Sequence, residues 1–217
     1  MIIVVIGFTG QGKSTLAAYL AQRCPTRVIF DPRGQFHTAP DVLPDSSEVY
    51  ELLDEKAELI VQPGRGAEVE RAFAHVCYQL ANWVEDNPAE RVCFVVDEAR
   101  LAGLESKAVP LDFDWLLRSS REGSPIDIII TCHRPVDVST NIRAIANRLI
   151  FFQVRLPTDL AIIEDQCGPE VADKVRLLLD RQFITWNNSR QQYRLVANPQ
   201  SWRVTLSSQP TVGYVRE

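Results

Sequence analysis

A chain of 217 residues with 46% apolar and 24% charged residues has the profile of an ordered globular domain and excludes an intrinsically disordered polypeptide. Its 28 acidic and 23 basic residues give a formal charge of −5, which argues against coating nucleic acid over a broad basic face. The five cysteines (Cys24, Cys77, Cys93, Cys132, Cys167) form no C-x-x-C pair, so a zinc site and a disulfide framework are both disfavoured and buried thiols in a reducing compartment are expected. No apolar stretch approaches the length of a membrane span, so direct membrane insertion is not expected, and the opening MIIVVI is too short for a signal-peptide core; synthesis in the cytoplasm follows.

In chain order, Ile2–Ile6 reads as a buried strand and Ser14–Arg23 as a helix. Arg27–Phe30 is a second strand closing on the turn Asp31-Pro32-Arg33-Gly34, and Asp45-Ser46-Ser47-Glu48 has capping-box character before a short helix. Leu59–Val61 is a strand. Val69, Phe73, Val76, Cys77, Leu80 and Val84 recur at steps of three and four, the mark of an amphipathic helix of about five turns. Val92–Val96 is the most apolar strand; a helix over Phe113–Ser120 and a strand over Ile126–Thr131 follow. Leu149–Val154 is another strand, and Phe183–Trp186 with Tyr193–Val196 reads as a hairpin across Asn187-Asn188-Ser189. Without repeats or linkers, one domain is expected over 1–197 with a C-terminal tail over 198–217. Strands alternating with helices imply an α/β fold, a mostly parallel sheet covered on both faces, with ligands beyond the carboxyl ends of the strands.

Gly7-Phe8-Thr9-Gly10-Gln11-Gly12-Lys13-Ser14 satisfies G-x-x-x-x-G-K-[ST] between a strand and a helix. Glycines let backbone N–H groups wrap phosphates at a helix N-terminus. Lys13 is expected to reach the β- and γ-phosphates of ATP, Ser14 to ligate Mg²⁺, and Thr15 to bond the α-phosphate. The strand Val92–Val96 delivers Asp97 and Glu98 together, one acid for the metal's surroundings and one to activate water. Glu98 argues against a P-loop nucleotide kinase, whose acceptor is a substrate hydroxyl. The strand running to Cys132 is placed between the acidic strand and the next one in chain order, with His133 at its tip as a sensor between the hydrolytic acid and the γ-phosphate.

Taken together, GFTGQGKST, VCFVVDEA and SSREGSPIDIIITCHRPVDVSTNIRAIANRLIFFQV resemble the FtsK–HerA superfamily of ring-forming DNA translocases. DPRGQF is similar to a D-P-x-G-E-Y turn of its HerA-type members, and LIFFQVRLPTDLAIIEDQCG to the family's strand followed by a helix ending D-Q-x-G. Two departures stand out: Cys132-His133 where T-Q is usual, and Gln35 where an acid is common. The resemblance implies a P-loop NTPase of the RecA-like (ASCE) type, a three-layer sandwich with a C-terminal β-hairpin. It also implies a hexameric ring on double-stranded DNA, with Arg121 (or Arg118) as a trans-acting arginine, Arg143 in a loop after the strand Ile126–Thr131 that faces the pore, and Arg134 close by. With the phosphate-loop strand starting at Met1, the pattern leaves no room for an N-terminal barrel or membrane segments, and it is most similar to the genome-packaging ATPases of tectivirus-like viruses. Such a motor would dock on capsid or membrane-vertex proteins and be incorporated into the virion. The alternative is a Zot-like morphogenesis ATPase that does not move DNA.

Overall fold

A computed structural model describes residues 1–36, 42–43, 48–55, 57–63, 66, 68–105 and 108–196. The capping box predicted at 45–48 lies outside these residues except for Glu48, and so does the tail 198–217.

Among the described residues nine strands form one sheet: β1 (Ile2–Ile6), β2 (Thr26–Phe30), β3 (Val42–Leu43), β4 (Glu58–Val61), β5 (Val92–Val96), β6 (Ile126–Cys132), β7 (Arg148–Phe151), β8 (Phe183–Asn187) and β9 (Gln192–Val196). Their order is β3-β4-β2-β5-β6-β1-β7-β8-β9, with β3 through β7 parallel and β8 and β9 antiparallel. The helices are α1 (Lys13–Ala21), α2 (Val49–Leu53), α3 (Glu68–Asp86), α4 (Leu111–Glu122), α5 (Thr140–Ile145), α6 (Pro157–Cys167) and α7 (Pro169–Leu177), with a 3-10 turn at Pro135–Asp137.

Strand residues alternate between two cores, as a pleated strand requires. Ile2, Val4 and Ile6 join the larger core with side chains of α2 through α7. Ile3 and Val5 join the smaller one with Leu16, Ala17 and Leu20 of α1. Phe73 on α3 is the keystone of the larger core, its ring 5.2 Å from Phe30 and 5.1 Å from Phe113, both edge-on. The result is the expected three-layer α/β sandwich.

Two placements differ from expectation. β6 lies between β5 and β1, not between β5 and the next strand in the chain, because β1 inserts and pairs with both β6 and β7. The stretch after β6, read as a loop, contains α5, whose Ser139 cap accepts a hydrogen bond from the Ile142 N–H.

Candidate active site

The phosphate loop leaves β1 at Ile6 and enters α1 at Lys13. Gly10 and Gly12 sit at φ +85° and +99°, where a side chain would be strained. A Cβ at Gly7 would come within 2.6 Å of both Gln11 Oε1 and Phe152 Cβ, so the tip of β7 walls one side of the loop. Gln11 braces it from within. Its Oε1 accepts the Phe8 N–H at 2.8 Å and its Nε2 donates to the Gln153 carbonyl at 3.3 Å. Lys13 is buried and donates to the Phe8 carbonyl at 3.2 Å, which holds the ammonium across the mouth of the loop. Burial lowers its pKa, opposed by the carboxylates of Glu98 and Asp97.

Asp97 emerges from β5 beside the loop and is fully enclosed. Its Oδ1 accepts the Thr131 hydroxyl at 2.7 Å. Ser14 Oγ lies 3.2 Å from the same Oδ1 and 3.1 Å from Gln35 Oε1, with one proton to serve both. Asp97 Oδ2 is buried without a partner among the described residues. Burial drives the Asp97 pKa up to about 6 against the Thr131 hydrogen bond, with the Glu98 and Asp31 carboxylates adding to the rise. An orphaned carboxylate oxygen beside a serine hydroxyl is a hard, anionic oxygen set that fits Mg²⁺.

Glu98 adopts φ +60°, unusual for a residue with a Cβ, and its backbone N–H is held by Thr131 Oγ1 at 3.1 Å. The side chain is buried, with Oε1 2.7 Å from His133 Nε2. Burial and the Lys13 charge lower the His133 pKa, while Glu98 opposes them, so the imidazole is neutral near pH 7 and its Nε2–H is the donor. His133 Nδ1 faces Thr9 Oγ1 at 3.5 Å. Arg33 also reaches the acid, its NH1 3.5 Å from Glu98 Oε1. Lys13, Ser14, Asp97, Glu98 and His133 are thus brought together at the carboxyl ends of β1, β5 and β6.

Arg33, Asp31 and Thr131 were not singled out by sequence. Thr131 ends an apolar run, and its role appears only once β6 lies beside β5. Arg33 was legible only as part of a turn.

Arg121 lies exposed in the last turn of α4, away from the phosphate loop. Its neighbour Ser120 bonds the Met1 ammonium at 2.9 Å, at the far end of β1. Arg118 is engaged in an exposed ion pair with Asp114 at 2.7 Å.

The two arginines expected near DNA are committed elsewhere. Arg143 is not on a loop but on α5. Its guanidinium is buried and donates to the carbonyls of Pro135 and Val138 and to Thr140 Oγ1, so it holds the segment after β6 together and presents no charge to a polyanion. Arg134 grips the fully buried Asp159 through Nε at 3.0 Å and NH2 at 2.9 Å, a fork-on-carboxylate pairing that occupies its charge. Both guanidiniums thus tie protein groups together in this structure, Arg143 from within and Arg134 from a side chain that stays 38% exposed.

Among the described residues no helix is long and apolar enough to cross a membrane, no cluster of three metal-ligating His, Cys, Asp or Glu side chains occurs, and all five cysteines are buried and free.

No family model and no curated protein matches the chain. Solved structures do match. The genome packaging NTPase B204 from Sulfolobus turreted icosahedral virus 2 in complex with ATP-gammaS superposes with a TM-score of 0.74 at 19% identity, covering 89% of this chain and 95% of that one. The same protein in complex with AMPPCP gives 0.74 at 20%, over 89% and 95%. VirB4 of Thermoanaerobacter pseudethanolicus gives 0.65 at 12% identity, over 93% of this chain and 90% of its own. The likeness is one of fold: the chain has the α/β fold of a P-loop NTPase, shared with B204 and VirB4.

Proposed function

We propose that this protein is an ATP-hydrolysing motor that translocates double-stranded DNA, a viral genome-packaging ATPase working as a ring. The observation that carries the reading is the convergence of Lys13, Ser14, Asp97 and the Glu98–His133 pair at three neighbouring strand ends. The likeness to B204, named for genome packaging and held with an ATP analogue, supports the choice of substrate and partner.

The loop N–H groups and Lys13 take the β- and γ-phosphates of ATP. Ser14 and Asp97 would hold Mg²⁺, which would supply the charge neutralisation that phosphoryl transfer needs. Glu98 orients the attacking water and draws on its proton, while the His133 Nε2–H fixes one of its carboxylate oxygens and leaves the other for the water. His133 also stands beside Thr9 of the loop, so it touches both the hydrolytic acid and the γ-phosphate side.

Arg121 completes the site from a neighbouring subunit. Five residues of β1, at ~3.3 Å each, separate the Met1 end of the strand from the loop by roughly 17 Å. An arginine side chain beside Met1 does not span that distance, so it reaches a nucleotide only across an interface. Assembly as a hexamer, docking on capsid or membrane-vertex proteins and incorporation into the virion are parts of the same proposal.

The test is the ATPase rate with and without linear duplex DNA, taken with the mass in solution. DNA-stimulated phosphate release from an assembly several times 24.5 kDa is expected. A monomer whose turnover ignores DNA would point instead to an assembly protein that uses nucleotide as a switch.

A further inference from the structure

The turn Asp31–Phe36 is built more firmly than a surface connection needs. Asp31 is fully buried; its N–H donates to the Val61 carbonyl at 2.9 Å, and its Oδ2 accepts the Phe36 N–H at 2.8 Å and Gln62 Nε2 at 3.1 Å. Gly34, at φ +66°, donates back to the Asp31 carbonyl, and Phe36 is sunk in the smaller core. A turn clamped at both ends presents the two side chains between them in fixed positions. Gln35 goes to Ser14 Oγ, on the metal side of the site, and Arg33 goes to Glu98 and His133, on the hydrolytic side.

Arg33 is held there loosely. Its NH1 is 3.5 Å from Glu98 Oε1, at the limit of a hydrogen bond, while His133 Nε2 takes that oxygen at 2.7 Å. NH1 is also 3.3 Å from His133 Nε2, but that nitrogen spends its proton on Glu98, and two donors face each other there. The Arg33 side chain is 41% exposed, whereas that of Glu98 is 5% exposed. Its charge is close enough to oppose that of Lys13, so both cations bear on the same space.

A half-exposed arginine without a well-formed bond among the described residues, aimed into a site built for a triphosphate, has a better partner than the one it holds. A γ-phosphate brings about two negative charges and three acceptor oxygens, against one charge on a carboxylate oxygen already occupied. Resting on the ATPase reading above, we infer that Arg33 is a γ-phosphate-binding residue supplied in cis. It rests against Glu98 while the γ-position is empty and turns onto the γ-phosphoryl oxygens when ATP fills it.

The inference separates ATP from ADP. A charge-assisted hydrogen bond to the γ-phosphate, absent with ADP, corresponds to roughly 10- to 100-fold in affinity. Wild type, Arg33→Ala and Arg33→Lys are titrated with Mg²⁺ and either ADP or the non-hydrolysable AMPPCP, with binding read by calorimetry. Arg33→Ala is expected to weaken AMPPCP by that factor and ADP by less than about twofold, with Arg33→Lys recovering part of the loss. Unchanged ADP affinity also reports that the variant is folded. Equal losses for both nucleotides would make Arg33 a structural residue, and no loss for either would make it a bystander; each overturns the inference and leaves the ATPase reading standing. A wild-type protein that binds neither nucleotide would overturn the ATPase reading and this inference with it.

Discussion

Asp97 stabilises the empty protein least when it is in the state that ATP binding requires. Burial raises its pKa from 3.8 to about 6. At about 1.4 kcal/mol per pH unit, the ionised carboxylate costs the fold roughly 3 kcal/mol. The sign follows from the direction of the shift. The stabilising contribution of the neutral acid is complete below the unfolded value and is lost as pH rises through about 6, so the cost stands in full by pH 8. Asp97→Asn keeps the shape and the Thr131 hydrogen bond without the charge. Its Nδ2 replaces an oxygen that is already unpartnered, and orienting a donor there without an acceptor offsets part of the gain. A net gain of about 1–2 kcal/mol is therefore expected at pH 8, or roughly 2–8 °C in melting temperature for a chain of this size. Melting followed by circular dichroism in EDTA, at pH 8 and pH 5, measures it. The variant should melt higher at pH 8, and the difference should shrink at pH 5, where the wild-type carboxyl is largely protonated. Adding Mg²⁺ and AMPPCP should reverse the order, raising wild type and not the variant. Equal melting of the two proteins at pH 8, or an advantage that ignores pH, would refute the claim that Asp97 is held at a cost to stability.

Lys13→Ala removes the ammonium held across the loop and should abolish tight Mg-ATP binding; unchanged affinity in a nucleotide titration would exclude the loop as the phosphate site. Glu98→Gln retains an oxygen for the His133 Nε2–H but cannot accept a proton from water. It should bind ATP like wild type while phosphate release falls by orders of magnitude, and parallel loss of binding and turnover would mark Glu98 as structural. Mixing Arg121→Ala subunits with Glu98→Gln subunits should restore turnover at interfaces that pair an intact Glu98 with an intact Arg121, by the trans effect that reaches roughly 10³–10⁵ in other phosphoryl-transfer enzymes. A mixture as inactive as either parent, with assemblies still forming, would show that Arg121 is not supplied in trans.

What was legible in the sequence had a local cause. β1 and β5 were readable to the residue because every side chain in them is apolar, and the Phe73-centred face of α3 because its period is 3.6. The phosphate loop was readable because glycine spacing, strand and helix lie within fifteen residues of one another. α7 was missed although Pro169 stands at its first turn and Val171, Ala172 and Val175 repeat on one face, since nine residues give too few periods to outweigh the glycine before them. Arg143 was misread for a different reason. A six-residue helix shows almost no periodicity, and nothing near it in sequence announces that its guanidinium will be needed by the carbonyls of Pro135 and Val138.

The remaining errors and omissions share one origin in the order of the strands. Arg33 follows β2, Glu98 follows β5 and His133 follows β6, roughly 65 and 35 residues apart along the chain, yet they stand side by side because β2, β5 and β6 are consecutive in the sheet. That adjacency is made by β5, which pairs with β2 along one edge and with β6 along the other, while β1 enters between β6 and β7, so that the first strand made becomes the neighbour of a strand more than a hundred residues later. Thr131 shows the consequence most sharply. One hydroxyl on β6 bonds the Asp97 carboxylate at 2.7 Å and accepts the Glu98 N–H at 3.1 Å, setting the metal-side acid and the hydrolytic acid from a strand that carries neither. Thr131→Val, nearly isosteric and fully buried, therefore orphans the Glu98 N–H and removes a donor from Asp97 at one stroke. Leaving such groups unpaired costs about 1–3 kcal/mol, and the mutation frees the φ +60° residue on which the water depends. The expected outcome is a protein that still binds ADP, melts several degrees lower and hydrolyses ATP at least 10-fold more slowly. Wild-type turnover in that variant would mean that Glu98 is oriented by its contact with His133 alone.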